Sequence, residues 1–317
     1  MPCSRRYIHD AGTKKITRRQ WGEIMGVGSF DLEVILKLRR NGILPGKFSI
    51  AEVGAQQLGD SVLGNQNLLQ AYAEAFSVPY REFGRALPQN RSSATELLRA
   101  NAPFTKDFWE WLGCTYMAAD VDTAPHTIRL DLNFDDVPEQ HKGKYHLVTN
   151  FGTTEHVANQ NQAMKIMHDL TAVGGVMVHN LPMQGYSNHG MFNYNPKFFW
   201  LLSRSCRYRW LDMRVTWDVV STPISPDIAD EVAKFDPVNA EQIRQQRAVD
   251  AGLIVVLQKI EDIPFVPPID TSSADIVADE PTRSRYWTVF GGTRPEDARP
   301  EEKPRNLGRL LKWRSRK

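Results

Sequence analysis

The sequence predicts an α/β fold, a mostly parallel sheet covered by helices on both faces. Two observations carry this. Short apolar runs recur, each closed by glycine or a polar residue: Phe48 to Val53 before Gly54, Tyr116 to Ala119 before Asp120, Thr127 to Leu130 before Asp131, and Tyr145 to Thr149 before Asn150. Helical stretches lie between strand runs, and strands alternating with helices at this spacing form parallel βαβ units. With 41% hydrophobic and 24% charged residues in 317, the chain has enough apolar side chains to bury a core.

In chain order, residues 14 to 41 read as helical, with Ile35, Leu36 and Leu38 as apolar positions and Asn41-Gly42 as the stop. Pro45-Gly46 turns the chain into the first strand. Residues 60 to 105 are mostly helical, with Leu68, Leu69, Tyr72 and Phe76 at helical spacing. Phe108-Trp109 and Trp111-Leu112 form the face of one more short helix, closed by Gly113. After the fourth strand a helix spans about Asn159 to Thr171, and Gly174-Gly175 is read as its end. A strand from Val176 to Asn180 follows, ended by Pro182. Then come a helix over Phe198 to Ser205, strands at Leu211 to Val219 and Leu253 to Lys259, and a polar helix near Ala240 to Asp250. This divides the chain into a helical segment 1–44, an α/β domain 45–262 with a helical insertion at about 60–105, and a Pro/Arg/Glu-rich linker and basic tail 263–317 expected to be largely disordered.

Composition excludes several classes of function. No run of ~18 apolar residues occurs, so no transmembrane helix is expected. The first residues lack the apolar stretch of a secretory signal, so the cytoplasm is the expected compartment. Cys3, Cys114 and Cys206 are far apart, which supports neither a disulfide framework nor a cysteine zinc site. A net charge of +2 argues against a nucleic-acid partner. That charge is unevenly placed: Arg305, Arg309, Lys312, Arg314, Arg316 and Lys317 crowd the last stretch, interleaved with Leu307, Leu310, Leu311 and Trp313. Such a tail suits peripheral contact with an anionic membrane or a protein partner, and a solvated, frayed terminus is the commoner alternative.

In open α/β sheets ligands bind at the carboxyl ends of the strands, near the switch in strand order. There Gly54 lets the backbone approach a ligand closely. Asp120, ending the second strand, can accept from both hydroxyls of a ribose. Asp131 can accept from an adenine amino group, and Asn150-Phe151-Gly152 would lie beneath. Taken one at a time, Asp and Asn just after a strand are more often helix N-caps. Together, in this order, they favour a ligand site.

On these residues the chain resembles the class I S-adenosylmethionine-dependent methyltransferases over about residues 45–260. The stretch VTNFGTTEHVANQNQAMKIMHDLTAVGGVMVHNLP is similar to that family's fourth strand, Glu-His-Val segment, helix and turn into the fifth strand. The segment AEVGA resembles its first motif, an acidic residue two places before the first glycine. The resemblance implies a Rossmann-like seven-stranded sheet with the last strand antiparallel, and S-adenosyl-L-methionine as methyl donor. By position, Glu52 and Gly54 would contact the methionine end, Asp120 the ribose, and Asp131 with the Leu132 backbone the adenine. Asn150 to Gly152 would line the floor. Two departures stand out. Gln56 and Leu58 replace the second and third glycines of the first motif, with Gly59 nearby. The connection between the first two strands is far longer than the dozen or so residues a crossover needs. The excess is read equally as a cap beside the substrate site or as a packing insert.

The block His179 to Tyr194, HNLPMQGYSNHGMFNY, follows the fifth strand, where substrate loops of this family lie. Its mixture of His189, tyrosines, asparagines and Phe192 suits a polar small molecule, such as a sugar or glycan precursor. His189 is a candidate general base, since imidazole titrates near neutral pH, with Glu155 and His156 as further catalytic candidates. Some small-RNA 2′-O-methyltransferases and ubiquinone-pathway O-methyltransferases carry a similar Glu-His pair here with further acidic or histidine metal ligands; by that resemblance Glu155, His156 and His189 would supply three, and Gly152 stands where the upstream carboxylate would be. Ligand count weighs against an ion, and none is expected. The main alternative is a non-catalytic binding or scaffold module of the same fold, suggested by the glycine-poor turn. A nicotinamide-dependent oxidoreductase would need G-x-G-x-x-G, and GAQQLG lacks the middle glycine.

Overall fold

The computed structural model describes residues 26–84, 102–124, 127–186, 189–217, 220–223 and 250–270, with Pro281 and Tyr286. The helices expected in 14–25 and near 240–250, and the basic tail, lie outside the described residues. Helix α1 is Ser29–Arg40, and strand β1 is Ser49–Val53. Helices α2 (Asp60–Leu63), α3 (Gln66–Phe76) and α4 (Thr105–Trp111) precede strand β2 (Thr115–Asp120) and strand β3 (Thr127–Arg129). Strand β4 (Tyr145–Phe151), helix α5 (Gln160–Leu170), strand β5 (Thr171–Gln184) and helix α6 (Pro196–Ser205) follow. Strands β6 (Arg209–Trp217), β7 (Val220–Pro223) and β8 (Ala251–Gln258) complete the sheet.

The strand order is β3-β2-β1-β4-β5-β8-β6-β7. Strands β1 to β5 pair in parallel, and β8 runs antiparallel to both β5 and β6. The seven expected strands are therefore present with the last one reversed, and β7 adds an eighth as an edge hairpin with β6. The order reverses between β1 and β4, so the crevice at the switch point opens beside Gly54 and Gly152.

Side-chain alternation sends each strand to two cores. Ile50, Tyr116, Leu147 and Val178 face the layer of α1, α3 and α4; Ala51, Met117, Val148 and Met177 face α5 and α6. In the described part of the insertion α3 packs on α1 and α4. Tyr72 of α3 is buried and donates to the Leu32 carbonyl of α1 at 2.6 Å, and its ring meets Phe108 of α4 edge-on at 5.0 Å.

Two expected boundaries move. β5 begins directly after α5, so Gly174-Gly175 lies inside the strand and does not end the helix. The strand also continues through Pro182, which pairs with Gly252 beside an irregularity in register. Residues 263–270, expected as linker, lie against the α5–α6 face. Phe265 and Val266 pack on that core, and His168 Nε2 meets the Ile263 carbonyl at 2.8 Å.

Candidate functional site

The carboxyl ends of β1 and β4 meet at Gly54, whose φ of +82° is the left-handed region that favours glycine. A Cβ here would stand 2.3 Å from Thr153 Oγ1. Thr153 follows β4, and its hydroxyl also accepts from Gln56 Nε2 at 3.2 Å. Gln56, standing where the resemblance expects a second glycine, thus ties the β1 loop to the β4 loop.

Glu52 sits two residues earlier and points away from this crevice. Alternation places it on the face of Ile50, in the layer of α4, with no exposed surface. Trp109 Nε1 donates to Oε1 at 3.0 Å, and Oε2 accepts from Thr105 Oγ1 at 2.6 Å, Tyr116 OH at 2.9 Å and the Gln56 backbone at 3.3 Å. Burial raises its carboxyl above the ordinary range, and these donors pull against that rise. Of the residues assigned to the methionine end, Gly54 lies in the crevice and Glu52 is an anchor between β1, β2 and α4.

Asp120 ends β2 and accepts from the Ala55 backbone at 2.8 Å and the Asp122 backbone at 3.1 Å. Each oxygen retains a lone pair for a further donor. Asp131 closes its own turn, accepting from Asn133 N at 2.8 Å, and Leu132 is buried in the core. Asn150 is fully buried at the end of β4 and starts a one-way hydrogen-bond chain. Its Nδ2 donates to Thr154 Oγ1 at 2.7 Å, Thr154 meets Tyr194 OH at 2.8 Å, and Tyr194 donates to Gln160 Oε1 at 2.6 Å. Gly152, with φ +67°, donates its N–H to the Asn180 carbonyl at 3.0 Å.

Thr154–His156 forms a single 3-10 turn that carries Glu155 inward. The loop after β5 folds over it. Met191 N and Phe192 N donate to the Glu155 carbonyl at 2.8 and 3.3 Å, and a Cβ on Gly190 would lie 2.7 Å from Glu155 Cγ. This brings His189 Nε2 to 3.5 Å and His156 Nε2 to 3.9 Å from Glu155 Oε1. The Glu155 side chain has no exposed surface, that of His189 is 11% exposed and that of His156 is 47% exposed. Burial pushes the Glu155 carboxyl up to about 7 and holds the His189 imidazole below its ordinary value. All three predicted catalytic residues therefore converge, although 33 positions separate His156 from His189.

Sequence reading passed over Thr153, Thr154 and Gln160 individually, because their partners lie across the fold. Asp31 also escaped notice. It is buried at the start of α1 and accepts from Asn180 Nδ2 of β5 at 2.8 Å, with burial raising its carboxyl to about 6. His179 and His168 are buried side chains. A cavity of about 410 Å³ opens between the first turns of α5 and α6 and residues 265–270; Gln160 lies in its wall. Its lining mixes Asn161, Asn195 and Lys197 with Met164 and Phe198. Among the described residues no helix is long and apolar enough to cross a membrane.

No protein-family model and no curated protein matches the chain. Solved structures similar to it include a SAM-dependent methyltransferase from Archaeoglobus fulgidus, at 11% identity over 72% of this chain and 94% of that one, with a TM-score of 0.35. A SAM-dependent methyltransferase from Thiobacillus denitrificans in complex with S-adenosyl-L-homocysteine aligns at 14% identity over 72% and 90%, with a TM-score of 0.33. The 1,6-didemethyltoxoflavin-N1-methyltransferase of Burkholderia thailandensis aligns at 7% over 80% and 99%, with a TM-score of 0.34. Five parallel strands, a reversal of order between β1 and β4, and β8 inserted antiparallel between β5 and β6 give this chain a Rossmann-like sheet with the strand arrangement that the resemblance implies.

Proposed function

We propose that the protein is an S-adenosylmethionine-dependent methyltransferase acting on an oxygen or nitrogen of a polar small molecule, such as a sugar or glycan precursor. The observation that carries this reading is the convergence of Glu155, His156 and His189 in the turn after β4, next in sequence to the Gly152-Thr153 side of the switch-point crevice. The donor would lie across the ends of β1 and β4, with Asp120 on the ribose hydroxyls and Asp131 and the Leu132 backbone at the adenine. Gly54 and the Asn150–Gly152 segment would line its path. The acceptor would enter beside His156, the exposed member of the cluster.

Bound there, S-adenosylmethionine would supply an electrophilic methyl group to the acceptor oxygen or nitrogen, with S-adenosylhomocysteine as the leaving group. The acceptor's proton passes to the Glu155–His189 pair, whose facing atoms are held apart from solvent. Holding donor and acceptor in line supplies much of the acceleration in such a transfer. Calorimetric titration with S-adenosylmethionine and S-adenosylhomocysteine tests the reading. Absence of binding of both at millimolar concentration would overturn it.

A second reading is a non-catalytic binding module. It is favoured by Thr153, whose hydroxyl lies against Gly54 where a donor would need room. Such a module would retain its biological effect when Asp120 is replaced by Ala, whereas the enzyme would lose it.

A further inference from the structure

Three groups in the cluster sit in an arrangement that side-chain hydrogen bonding alone does not explain. Both carboxylate oxygens of Glu155 are buried and have no hydrogen-bond partner among the described residues, and the same holds for His189 Nε2. Buried polar atoms in folded proteins are nearly always partnered, and here three that are not, both oxygens of a carboxylate and an imidazole nitrogen, meet in one cluster. Their 3.5 Å separation is longer than a charge-assisted hydrogen bond, which closes to about 2.7–2.9 Å.

We infer that Glu155, His156 and His189 bind one divalent first-row transition ion through one carboxylate oxygen and two imidazole nitrogens. One ligand atom from each lies within 4.8 Å of the other two. Ligand atoms about 2.0–2.2 Å from a shared tetrahedral ion stand about 3.3–3.6 Å apart. The 3.5 Å from Glu155 Oε1 to His189 Nε2 already lies in that range, and the 3.9 Å to His156 Nε2 needs to close by only a few tenths of an ångström. A set of two nitrogens and one oxygen suits zinc or ferrous iron better than magnesium, which prefers an octahedron of oxygens. Counting ligands along the sequence argued against an ion; burial without partners, which spacing does not reveal, argues for one.

The geometry is also open on one side. Glu155 and His189 are walled in, the latter by the loop strapped to the Glu155 carbonyl, while His156 faces solvent. A ligand reaching a bound ion from solvent would therefore come past His156, the exposed member of the cluster. Resting on the proposed methyl transfer, an acceptor oxygen bound there would lose its proton to water more readily, because a bound divalent ion lowers the pKa of its ligands. With an ion bound, His189 would be a ligand, and water in place of the Glu155–His189 pair would take the acceptor's proton.

The test uses the full chain, stripped with chelator and titrated calorimetrically with Zn²⁺, and with Co²⁺ while its visible absorption is recorded. One ion per chain is expected, with Mg²⁺ binding at least ~100-fold more weakly. His156→Ala and His189→Ala should each weaken Zn²⁺ binding at least ~10-fold. His156 is half-exposed, so its variant should fold even where Glu155→Ala does not. No Zn²⁺ binding by the native chain, or binding unchanged in both histidine variants, overturns the inference. Titration with S-adenosylhomocysteine in the same samples separates the two readings. Ion binding without donor-product binding counts against the methyltransferase and leaves the ion site standing; the converse removes the ion alone.

Discussion

Replacing Gly54 with Ala should destabilise the protein through two separable causes. The first is backbone strain: a residue with a Cβ held at φ +82° costs about 1–2 kcal/mol. The second is a collision. The new Cβ would stand 2.3 Å from Thr153 Oγ1, 2.9 Å from its Cγ2 and 3.2 Å from its Cβ. Forcing such an overlap typically costs a further ~1–3 kcal/mol, giving about 2–5 kcal/mol in total. Thr153→Ala removes the two nearest atoms and leaves only the 3.2 Å contact, so it relieves the collision and not the strain. Alone it forgoes the 3.2 Å bond from Gln56, worth about 1 kcal/mol. In the double variant, then, the cost of Gly54→Ala should fall to about 1–2 kcal/mol, a coupling of about 1–3 kcal/mol. Urea unfolding of all four proteins, with unchanged m-values, measures it. Additivity to within ~0.5 kcal/mol would show that Thr153 does not close the crevice over Gly54.

Other consequences are equally specific. Glu52→Leu should cost at least about 3 kcal/mol in urea unfolding, because it leaves buried donors on Thr105, Trp109 and Tyr116 without their acceptor. Burial lowers His168 to about 4, below its unfolded value near 6.5, so its contribution is full above pH 6.5 and fades as pH falls toward 4. The loss should approach about 3 kcal/mol; His168→Gln should be less stable at pH 7 but show a flatter decline across that window, and an unchanged slope would refute the assignment. Tyr194→Phe breaks the link from Thr154 to Gln160 and should lower stability by about 1–2 kcal/mol, read as a shift in Tm. Asp120→Asn should weaken S-adenosylhomocysteine binding at least ~10-fold by calorimetry with little change in Tm, if the carboxylate holds the ribose.

Much of the sheet was legible because its strands are short apolar runs with distinctive ends. Gly54, Asp120 and Asn150 each fall where expected, since the residue that closes a buried strand must meet solvent, a turn or a ligand. What spacing could not supply was direction. Glu52 reads as a donor contact by position, yet a two-residue period puts it on the Ile50 face, where Trp109 and Tyr116 wait in segments more than fifty residues away. Gly174-Gly175 looked like a helix stop because a strand beginning directly at Thr171 leaves no connection to read. The cluster around Glu155 was half legible: its members were named, but its depth and lack of partners arise from a loop that folds back 33 residues later.

The position of β8 sets an order on assembly. Among the described residues it is the last strand, its first seven residues are buried, and it fills the gap between β5 and β6. Until residue 258 has left the ribosome, β5 presents a bare edge and the β6–β7 hairpin has no neighbour to join it to the rest. A nascent chain therefore carries two open apolar edges through the synthesis of its last sheet segment, the condition under which strands pair with those of other molecules. Fragments ending before Ala251 should be recovered mainly as aggregates, and the interval between β7 and β8 is where a holding chaperone has most to protect.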